Sequence, residues 1–236
     1  MTEPSPYDGI ARIYDPWSVS VVEDISFYVD EALASGGPVV ELGVGTGRIA
    51  IPIAAAGIDV IGVDASAEML AVCRARAREA GLDDRLDLRQ GDLRRPPVEG
   101  PVPLVICPFR AYLHLTTDEE RLEAFGAARA LLEPRGRFVF DVFTPSQEDI
   151  DETDGLWIER EPGIFERADW DLRRQTLTLS VKDDASETTM TLFWLAPERW
   201  NALLVDAGFD VEACYEWFDR KPYAGGEDSI WIARKT

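Results

Sequence analysis

Residues Val39-Val-Glu-Leu-Gly-Val-Gly-Thr-Gly-Arg48 form the stretch that decides the fold. The apolar run 39–42 predicts a short buried β-strand, and three glycines at alternate positions follow it before a helical pattern begins. Glycine has no Cβ atom, so this turn can bend tightly and a ligand can lie against its backbone. The next predicted strand ends at Asp64, 21 residues beyond Gly43. A carboxylate there can accept hydrogen bonds from both hydroxyls of an adenosine ribose.

The spacing of the glycines separates two classes of ligand. A dinucleotide fingerprint, G-x-G-x-x-G, needs a third glycine for close helix packing at the pyrophosphate. Counted from Gly43, that position holds Arg48, and the segment has the form E-x-G-x-G-x-G instead. The pattern argues against an NAD-dependent oxidoreductase, which stays an alternative on the same general fold.

Strand and helix patterns alternate through the first 145 residues. The predicted strands are 39–42, 58–63, 86–88, 104–107 and 137–143. A helix precedes them, and its predicted inward face carries Val22, Ile25, Val29 and Leu33. Ser66 and Thr117 are predicted to cap two of the later helices. Repeated strand–helix units imply parallel strands joined by right-handed crossovers.

The pattern changes after residue 145. The acidic stretch 147–154 is predicted to be a linker, and the alternation of apolar and polar residues over 156–195 predicts antiparallel strands. Two strands close the chain. The predicted fold is therefore α/β, a Rossmann-like, doubly wound, mostly parallel sheet with a small antiparallel β insertion after strand five. We expect one domain over 1–236, a helical cap over 1–35, and an insertion over 155–195 that serves as a lid or a dimer element.

Charge and cysteine content limit the partners. The chain has 44 Asp and Glu against 24 Lys and Arg, a net charge of −20. Such a surface repels phosphate, so neither nucleic acid nor an anionic membrane is an expected partner. The three cysteines are scattered, which predicts neither a disulfide framework nor a metal site and favours a reducing compartment. Residues 1–6 are polar, and the longest apolar run, 49–58, is too short to span a bilayer, so we expect a cytoplasmic protein.

In this E-x-G-x-G-x-G segment and several later ones, the chain resembles the class I S-adenosylmethionine-dependent methyltransferases. Residues 63–66, followed by Met69, are similar to the family's ribose-binding strand end and its next helix. Residues 91–93 resemble the loop whose aspartate receives the adenine amino group. Residues 131–140 resemble the L-x-P-G-G turn before strand five, with Arg135 in place of one glycine. The C-terminal strands resemble the family's reversed last hairpin, which makes seven strands in the sheet.

The resemblance implies S-adenosylmethionine as cofactor. Gly43 and Gly45 should approach its methionine moiety, and Glu41 should help to hold its ammonium. Asp64 should bind the ribose, and Asp92 should border the adenine. Further cofactor contacts implied by the matched segments are Ala65, Met69, Leu93 and Pro108.

The N-terminal segment and the insertion indicate which group within the methyltransferase family the chain resembles. Tyr14-Asp15 is similar to the YD segment of small-molecule methyltransferases, and the insertion with 218–222 resembles the group of glycine N-methyltransferase and amino-sugar N,N-dimethyltransferases. This implies a small-molecule methyl acceptor. Tyr14 either directs its hydroxyl to the sulfonium region or packs a helix against the sheet.

Four residues are candidates for binding the methyl acceptor or for catalysis. His114, the single histidine, is either a base for a hydroxyl acceptor or a structural residue near strand four. Asp141 either contacts substrate or hydrogen-bonds a loop. Arg110 either clamps an anionic group of the substrate or pairs with an acid. Trp157, with the other aromatic residues of the insertion, forms a lid for the acceptor, a small core or a dimer interface.

The sequence thus predicts transfer of a methyl group to an amine or a hydroxyl of a small molecule. Segment 107–110 lacks the [DNS]-P-P-[YFW] motif of amino-methylating DNA enzymes. A non-catalytic protein that binds S-adenosylmethionine for regulation or assembly is the other alternative, because the motifs report the cofactor and not turnover. A homodimer stays open.

Overall fold

Eleven strands and seven α-helices make up the computed structural model, which describes residues 5–18 and 22–236. The strands are β1 (Val39–Leu42), β2 (Val60–Asp64), β3 (Leu86–Gln90), β4 (Val102–Cys107), β5 (Leu132–Phe143), β6 (Trp157–Glu161), β7 (Ile164–Asp171), β8 (Thr176–Lys182), β9 (Glu187–Phe193), β10 (Phe209–Tyr215) and β11 (Asp228–Lys235). The helices are α1 (Tyr14–Trp17), α2 (Glu23–Ser35), α3 (Ala50–Ala55), α4 (Ala67–Glu79), α5 (Asp118–Leu131), α6 (Gln147–Thr153) and α7 (Pro197–Asp206).

The main sheet has seven strands in the order β10-β11-β5-β4-β1-β2-β3. Strands β3, β2, β1, β4 and β5 are parallel, whereas β11 runs antiparallel to β5 and to β10. The predicted doubly wound sheet with a reversed last strand is confirmed. Because the order of the strands reverses between β1 and β4, a crevice opens beyond their carboxyl ends, where such sheets bind ligands.

The second sheet contains β6, β7, β8 and β9, all antiparallel, and matches the predicted insertion after strand five. The predicted linker over 147–154 is wrong, because residues 147–153 form α6. The Ser146 side chain accepts a hydrogen bond of 3.0 Å from the N–H of Asp149 and caps this helix, whose Ile150 is buried. Acidic residues in its first turn complement the positive end of the helix dipole.

The helix predicted before the first strand is confirmed as α2, but its predicted inward face is only half right, because Ile25 and Val29 pack against the core and the other two residues do not. Val22 and Leu33, both assigned to that face, are 55% and 50% exposed. The buried residues of the helix are Asp24, Phe27, Tyr28, Glu31 and Ala32. The two aromatic rings remove more apolar area from water than valine and leucine would. The two carboxylates tolerate burial because each is paired with arginine.

The predicted caps of α4 and α5 are confirmed. Ser66 accepts the N–H of Met69 at 3.0 Å, and Thr117 accepts the N–H of Glu120 at 3.2 Å. Parts of the predicted cap over 1–35, residues 1–4 and 19–21, lie outside the described residues. Within the described ranges, no helix has both the length and the apolar character needed to cross a bilayer.

Candidate active site

Two adjacent cavities lie beyond the carboxyl ends of the parallel strands. The first has a volume of about 490 Å³ and the second of about 500 Å³. Tyr7, Phe109 and His114 line both of them. The two cavities therefore adjoin at these three side chains, which are called the partition below.

The first cavity gathers most of the predicted cofactor residues. Eight of the nine line it: Gly43, Gly45, Asp64, Ala65, Met69, Asp92, Leu93 and Pro108. They come from four segments that are far apart in sequence, each following one of the strands β1 to β4. The parallel sheet brings the four segments together because all these strands end at the same edge.

Asp64 ties the glycine turn to the start of α4. Its carboxylate accepts the N–H of Gly45 and the N–H of Ser66, each at 2.8 Å. Burial raises the pKa of Asp64, and the two backbone donors oppose that shift. A carboxylate offers about four acceptor positions, so Asp64 can hold this turn and still accept the hydroxyls of a ribose.

Glu41 and Gly45 test whether the cavity suits the predicted cofactor. Glu41 is buried, and its Oε2 has no hydrogen-bond partner among the described residues. Burial raises the pKa of Glu41 well above its usual value, while the charge of Arg48 opposes the shift. Glu41 is the one predicted cofactor residue that does not line the cavity, so its unpaired oxygen can act on a cationic group there, such as an α-ammonium, only through a bridging water. Gly45 has a φ of +53° and open space where a Cβ would stand, so a ligand can approach its backbone.

Asp92 lines the first cavity but already has a partner. Arg94 contacts the carboxylate at 2.6 Å and holds the pKa of Asp92 below its usual value. The N–H of Arg94 donates to the same carboxylate at 2.8 Å. The remaining acceptor positions of Asp92 are the ones that an adenine amino group can use.

Tyr14 and Tyr7 form an aromatic wall over the partition. Their ring centroids are 5.8 Å apart, and the Tyr14 ring lies 6.3 Å from that of Phe109. Tyr14 also lines the first cavity. Burial raises the pKa of both tyrosines, so their hydroxyls stay protonated at neutral pH.

Tyr7 is a site residue that sequence reasoning missed. Its hydroxyl lies 2.8 Å from Nε2 of His114, so a hydrogen bond joins two of the three partition residues. Tyr7 belongs to an irregular segment with no hydrophobic period, so the sequence carries no local signal for it. Other contacts hold this segment down: Ser66 Oγ donates to Asp8 at 2.5 Å, and Thr188 Oγ1 donates to the Pro6 carbonyl at 2.7 Å.

His114 ends a short 3₁₀ turn after β4 and lies between the two cavities. Burial lowers its pKa to about 4. The imidazole is therefore neutral at pH 7 and is a weak base.

Arg110 lies where an acceptor can reach it, whereas Asp141 does not. Arg110 lines the second cavity, donates to Asp228 at 2.8 Å and stacks over Phe143. Asp141 is 5% exposed and lines neither cavity. Its carboxylate accepts the N–H groups of Phe109 and Arg110, so the interpretation of Asp141 as a substrate contact gives way to its alternative, a bond to the loop.

The second cavity has an apolar floor and an acidic rim. Alternate residues of the second sheet supply the floor: Ala168, Leu177, Leu179, Met190 and Leu192. Five carboxylates line the cavity: Asp149, Glu161, Glu166, Glu227 and Asp228. Arg110 pairs with Asp228, and Arg160 pairs with Glu166. The other three carboxylates have no ion pair with a described residue.

Trp157 is not brought to either cavity. Its side chain is 38% exposed, and Nζ of Lys182 lies 3.9 Å from the ring centroid. Trp157 pairs with Arg167 across β6 and β7, and directly opposed residues share a face of the sheet. Neighbouring Ala168 faces the second cavity, so Trp157 and Arg167 face away from it. Trp170, two residues beyond Ala168, lines the cavity instead.

The part of the chain that the structure describes holds no group of three or more His, Cys, Asp or Glu side chains suited to a metal ion.

Comparison with known proteins matches residues 39–136 to a family model described as a methyltransferase domain. An uncharacterized methyltransferase of Bacillus cytotoxicus is 32% identical over 158 residues, which cover 62% of this chain and 70% of that protein. A putative methyltransferase of Bacillus subtilis, YqeM, is 28% identical over 137 residues. That match covers 58% of this chain and 55% of YqeM, so the chain spans about half the length of that relative.

Among solved structures, the CcbJ methyltransferase from Streptomyces caelestis superposes on the entire chain. The TM-score is 0.86 at 25% sequence identity, with 100% of both chains covered. The similarity therefore includes the N-terminal segment and the second sheet as well as the glycine turn.

Proposed function

The chain belongs to the S-adenosylmethionine-dependent methyltransferases, and on that premise we propose that it methylates an amine of a small molecule bound in the second cavity. The observation that carries this proposal is the surplus of carboxylates around that cavity, directly across the partition from the predicted cofactor residues. The carboxylates attract a cationic acceptor from solution and orient it.

In this proposal, the first cavity holds the cofactor. Gly43 and Gly45 leave room for its methionine part, and Asp64 binds the ribose hydroxyls. Asp92 and Leu93 border the adenine. The partition residues Tyr7, Phe109 and His114 then separate the activated methyl group from bulk water and leave one direction of approach for the acceptor.

The chemistry requires alignment more than proton removal. A neutral acceptor nitrogen forms the new bond to the methyl carbon, the electron pair of the breaking C–S bond passes to sulfur to give S-adenosylhomocysteine, and the nitrogen then releases a proton to water. Bound S-adenosylmethionine supplies a methyl group already activated by its sulfonium. Because such a displacement is in line, the walls of both cavities contribute by holding donor and acceptor on one axis.

His114 supports an amine over a hydroxyl. A hydroxyl acceptor needs a base whose pKa lies near the working pH. Burial lowers the pKa of His114 to about 4, so this imidazole holds a proton poorly at neutral pH. An amine that has lost its proton to water needs no such base.

The apolar floor limits the shape of the acceptor. Leu177, Leu179, Met190 and Leu192 offer a hydrocarbon surface, while the carboxylates lie at the rim. A compact amine with an apolar or ring-shaped body satisfies both, since its body covers the floor and its nitrogen lies near the carboxylates.

The test is transfer of a labelled methyl group from S-adenosylmethionine to matched acceptors. Each amine is paired with the alcohol and the carboxylate of the same skeleton, and Asp64→Ala protein measures the background. We expect transfer to amines and formation of S-adenosylhomocysteine in equal amount. Transfer to the alcohols alone would overturn the amine assignment.

A further inference from the structure

We infer that Asp141 is a positioning residue for methyl transfer, which holds Phe109 and Arg110 in place and so fixes the partition between the two cavities. The inference rests on the proposed use of the two cavities for cofactor and acceptor. Asp141 acts through the loop after β4 and touches neither ligand.

The backbone of this loop needs an external support. Phe109 has a φ of +57° and Arg110 a φ of +65°, so two consecutive residues adopt the left-handed conformation. Residues with a Cβ atom disfavour this conformation, and they keep it where surrounding contacts impose it. Neither position is glycine, so the sequence does not relieve the strain locally.

Asp141 supplies that support from the end of β5. Its Oδ1 accepts the N–H of Phe109 at 2.8 Å, and its Oδ2 accepts the N–H of Arg110 at 3.1 Å. The Tyr28 hydroxyl of α2 donates to Oδ1 at 2.6 Å and orients the carboxylate. Two backbone donors on two different oxygens require a carboxylate, because an asparagine would present its NH₂ group to one of them.

The supported residues face the reaction. Phe109 lines both cavities, and the guanidinium carbon of Arg48 lies 4.6 Å from its ring centroid on one side. Arg110 lines the second cavity and pairs with Asp228. One buried carboxylate thus sets the partition and one charged wall of the acceptor site. Releasing it misaligns donor and acceptor while the glycine turn, which binds the cofactor in our proposal, keeps its contacts.

The charge of Asp141 predicts a second observable effect, a pH dependence of turnover. The groups that act on it are Tyr28 and Asp24 of α2, Cys107 of β4, and Arg48 and Arg110 beside the loop. Burial raises the pKa of Asp141 to about 6 against the hydrogen bond from Tyr28 and the charge of Arg110. Protonation below this value occupies one acceptor oxygen and weakens the hold on the loop, so turnover should fall as the pH drops through about 6.

The experiment compares Asp141→Asn and Tyr28→Phe with Glu133→Gln, an exposed acid on the same strand. Calorimetry measures the cofactor affinity. Steady-state kinetics with the best acceptor found give kcat and KM over pH 5 to 8, and NMR measures the amide exchange of residues 109 and 110. For Asp141→Asn we expect a cofactor Kd within about threefold of wild type, a kcat at least about tenfold lower and faster exchange of both amides. Its pH profile should lose the inflection near pH 6 and keep only the fall that protonation of the acceptor amine itself produces.

Tyr28→Phe removes a hydrogen bond that lowers the pKa of Asp141, so its acidic limb should move to higher pH. Unchanged kcat, pH profile and exchange in folded Asp141→Asn protein would overturn the inference. A cofactor affinity that falls in step with kcat would do the same, because it would mark a general structural role. If wild type methylates alcohols instead of amines, the proposed function fails, while the exchange rates still decide the role of Asp141.

Discussion

The Tyr7 hydroxyl lies 2.8 Å from Nε2 of His114, across 107 residues of sequence, at the point where the two cavities meet. This contact joins the N-terminal segment to the loop after β4. The two rings also pack edge to face, with centroids 5.4 Å apart. Part of the wall of both cavities is therefore supplied by a segment that lies outside the main sheet.

Tyr7→Phe removes this hydrogen bond and keeps the ring. Because His114 is buried, its Nε2 loses a partner, and we expect the free energy of unfolding to fall by about 1–3 kcal/mol. The turnover number should fall as well, since the partition is loosened. Urea unfolding and steady-state kinetics check both. The matched control is Tyr223→Phe, which removes an exposed hydrogen bond from the Tyr223 hydroxyl to the Gly226 carbonyl. An equal loss of stability and turnover in that variant would contradict the special role of Tyr7.

Asp64→Asn tests the ribose assignment. The asparagine keeps one oxygen for the N–H of Gly45 or of Ser66, turns its NH₂ group toward the other, and cannot offer two anionic acceptors to a ribose. Hydrogen bonds to charged groups contribute about 1.5–3 kcal/mol, so the Kd for S-adenosylmethionine should rise about 10- to 100-fold. Calorimetry measures the affinity, and circular dichroism verifies the fold. Asp84→Asn, at an exposed position away from the cavity, should bind like wild type; unchanged affinity in Asp64→Asn would refute the assignment.

The acidic rim of the second cavity predicts a charge effect on KM. Burial and the negative charge of Glu227 both raise the pKa of Asp149, so the two carboxylates interact electrostatically. Asp149→Asn should raise the KM of a cationic acceptor about 3- to 10-fold with little change in kcat, and added salt should reduce the difference. Glu148→Gln, on the exposed side of α6, is the control. Equal KM values for both variants would argue against a cationic acceptor.

The repeating units of this sequence predicted the sheet, whereas the contacts between distant segments escaped prediction. The glycine turn and Asp64 were predicted because each directly follows a predicted strand, and parallel strands deliver such residues to one edge. Asp92 was predicted because residues 91–93 resemble the family's adenine-binding loop. Arg135, which takes a glycine's place in the turn before strand five, nevertheless adopts a φ of +67°. The turn geometry was thus kept without the residue that normally signals it.

Prediction failed where tertiary contacts outweighed local pattern. The apolar period of α2 pointed to Val22 and Leu33, but the helix buries Asp24 and Glu31 because arginines from other elements neutralise them. Trp157 was assigned to the acceptor because an aromatic residue in an insertion suggests a lid. The register of β6 against β7 places it on the outer face, and a sequence without an alignment does not reveal register.

The stability of the protein should depend on His114 between pH 4 and 6.5. Its pKa is about 4 in the folded state and ordinarily about 6.5 in an unfolded chain. Above the unfolded value both states are neutral and the contribution is complete. As the pH falls towards 4, the unfolded state takes up a proton first, so the contribution declines by up to about 3 kcal/mol. Unfolding in urea at several pH values should show a smaller acid loss in His114→Gln than in wild type; parallel curves would contradict the buried neutral imidazole.

At Gly47, in the glycine turn, the packing leaves no room for a larger side chain. Its φ is +81°, and a Cβ there would lie 2.6 Å from Sγ of Cys73 on α4. Gly47→Ala should cost about 1–2 kcal/mol from the left-handed backbone and about 1–3 kcal/mol from overpacking. Cys73→Ala removes the sulfur, so the double variant should recover the packing part and keep the backbone part. A double-mutant cycle of unfolding free energies measures this coupling, and losses that simply add would show that the sulfur is not the obstacle.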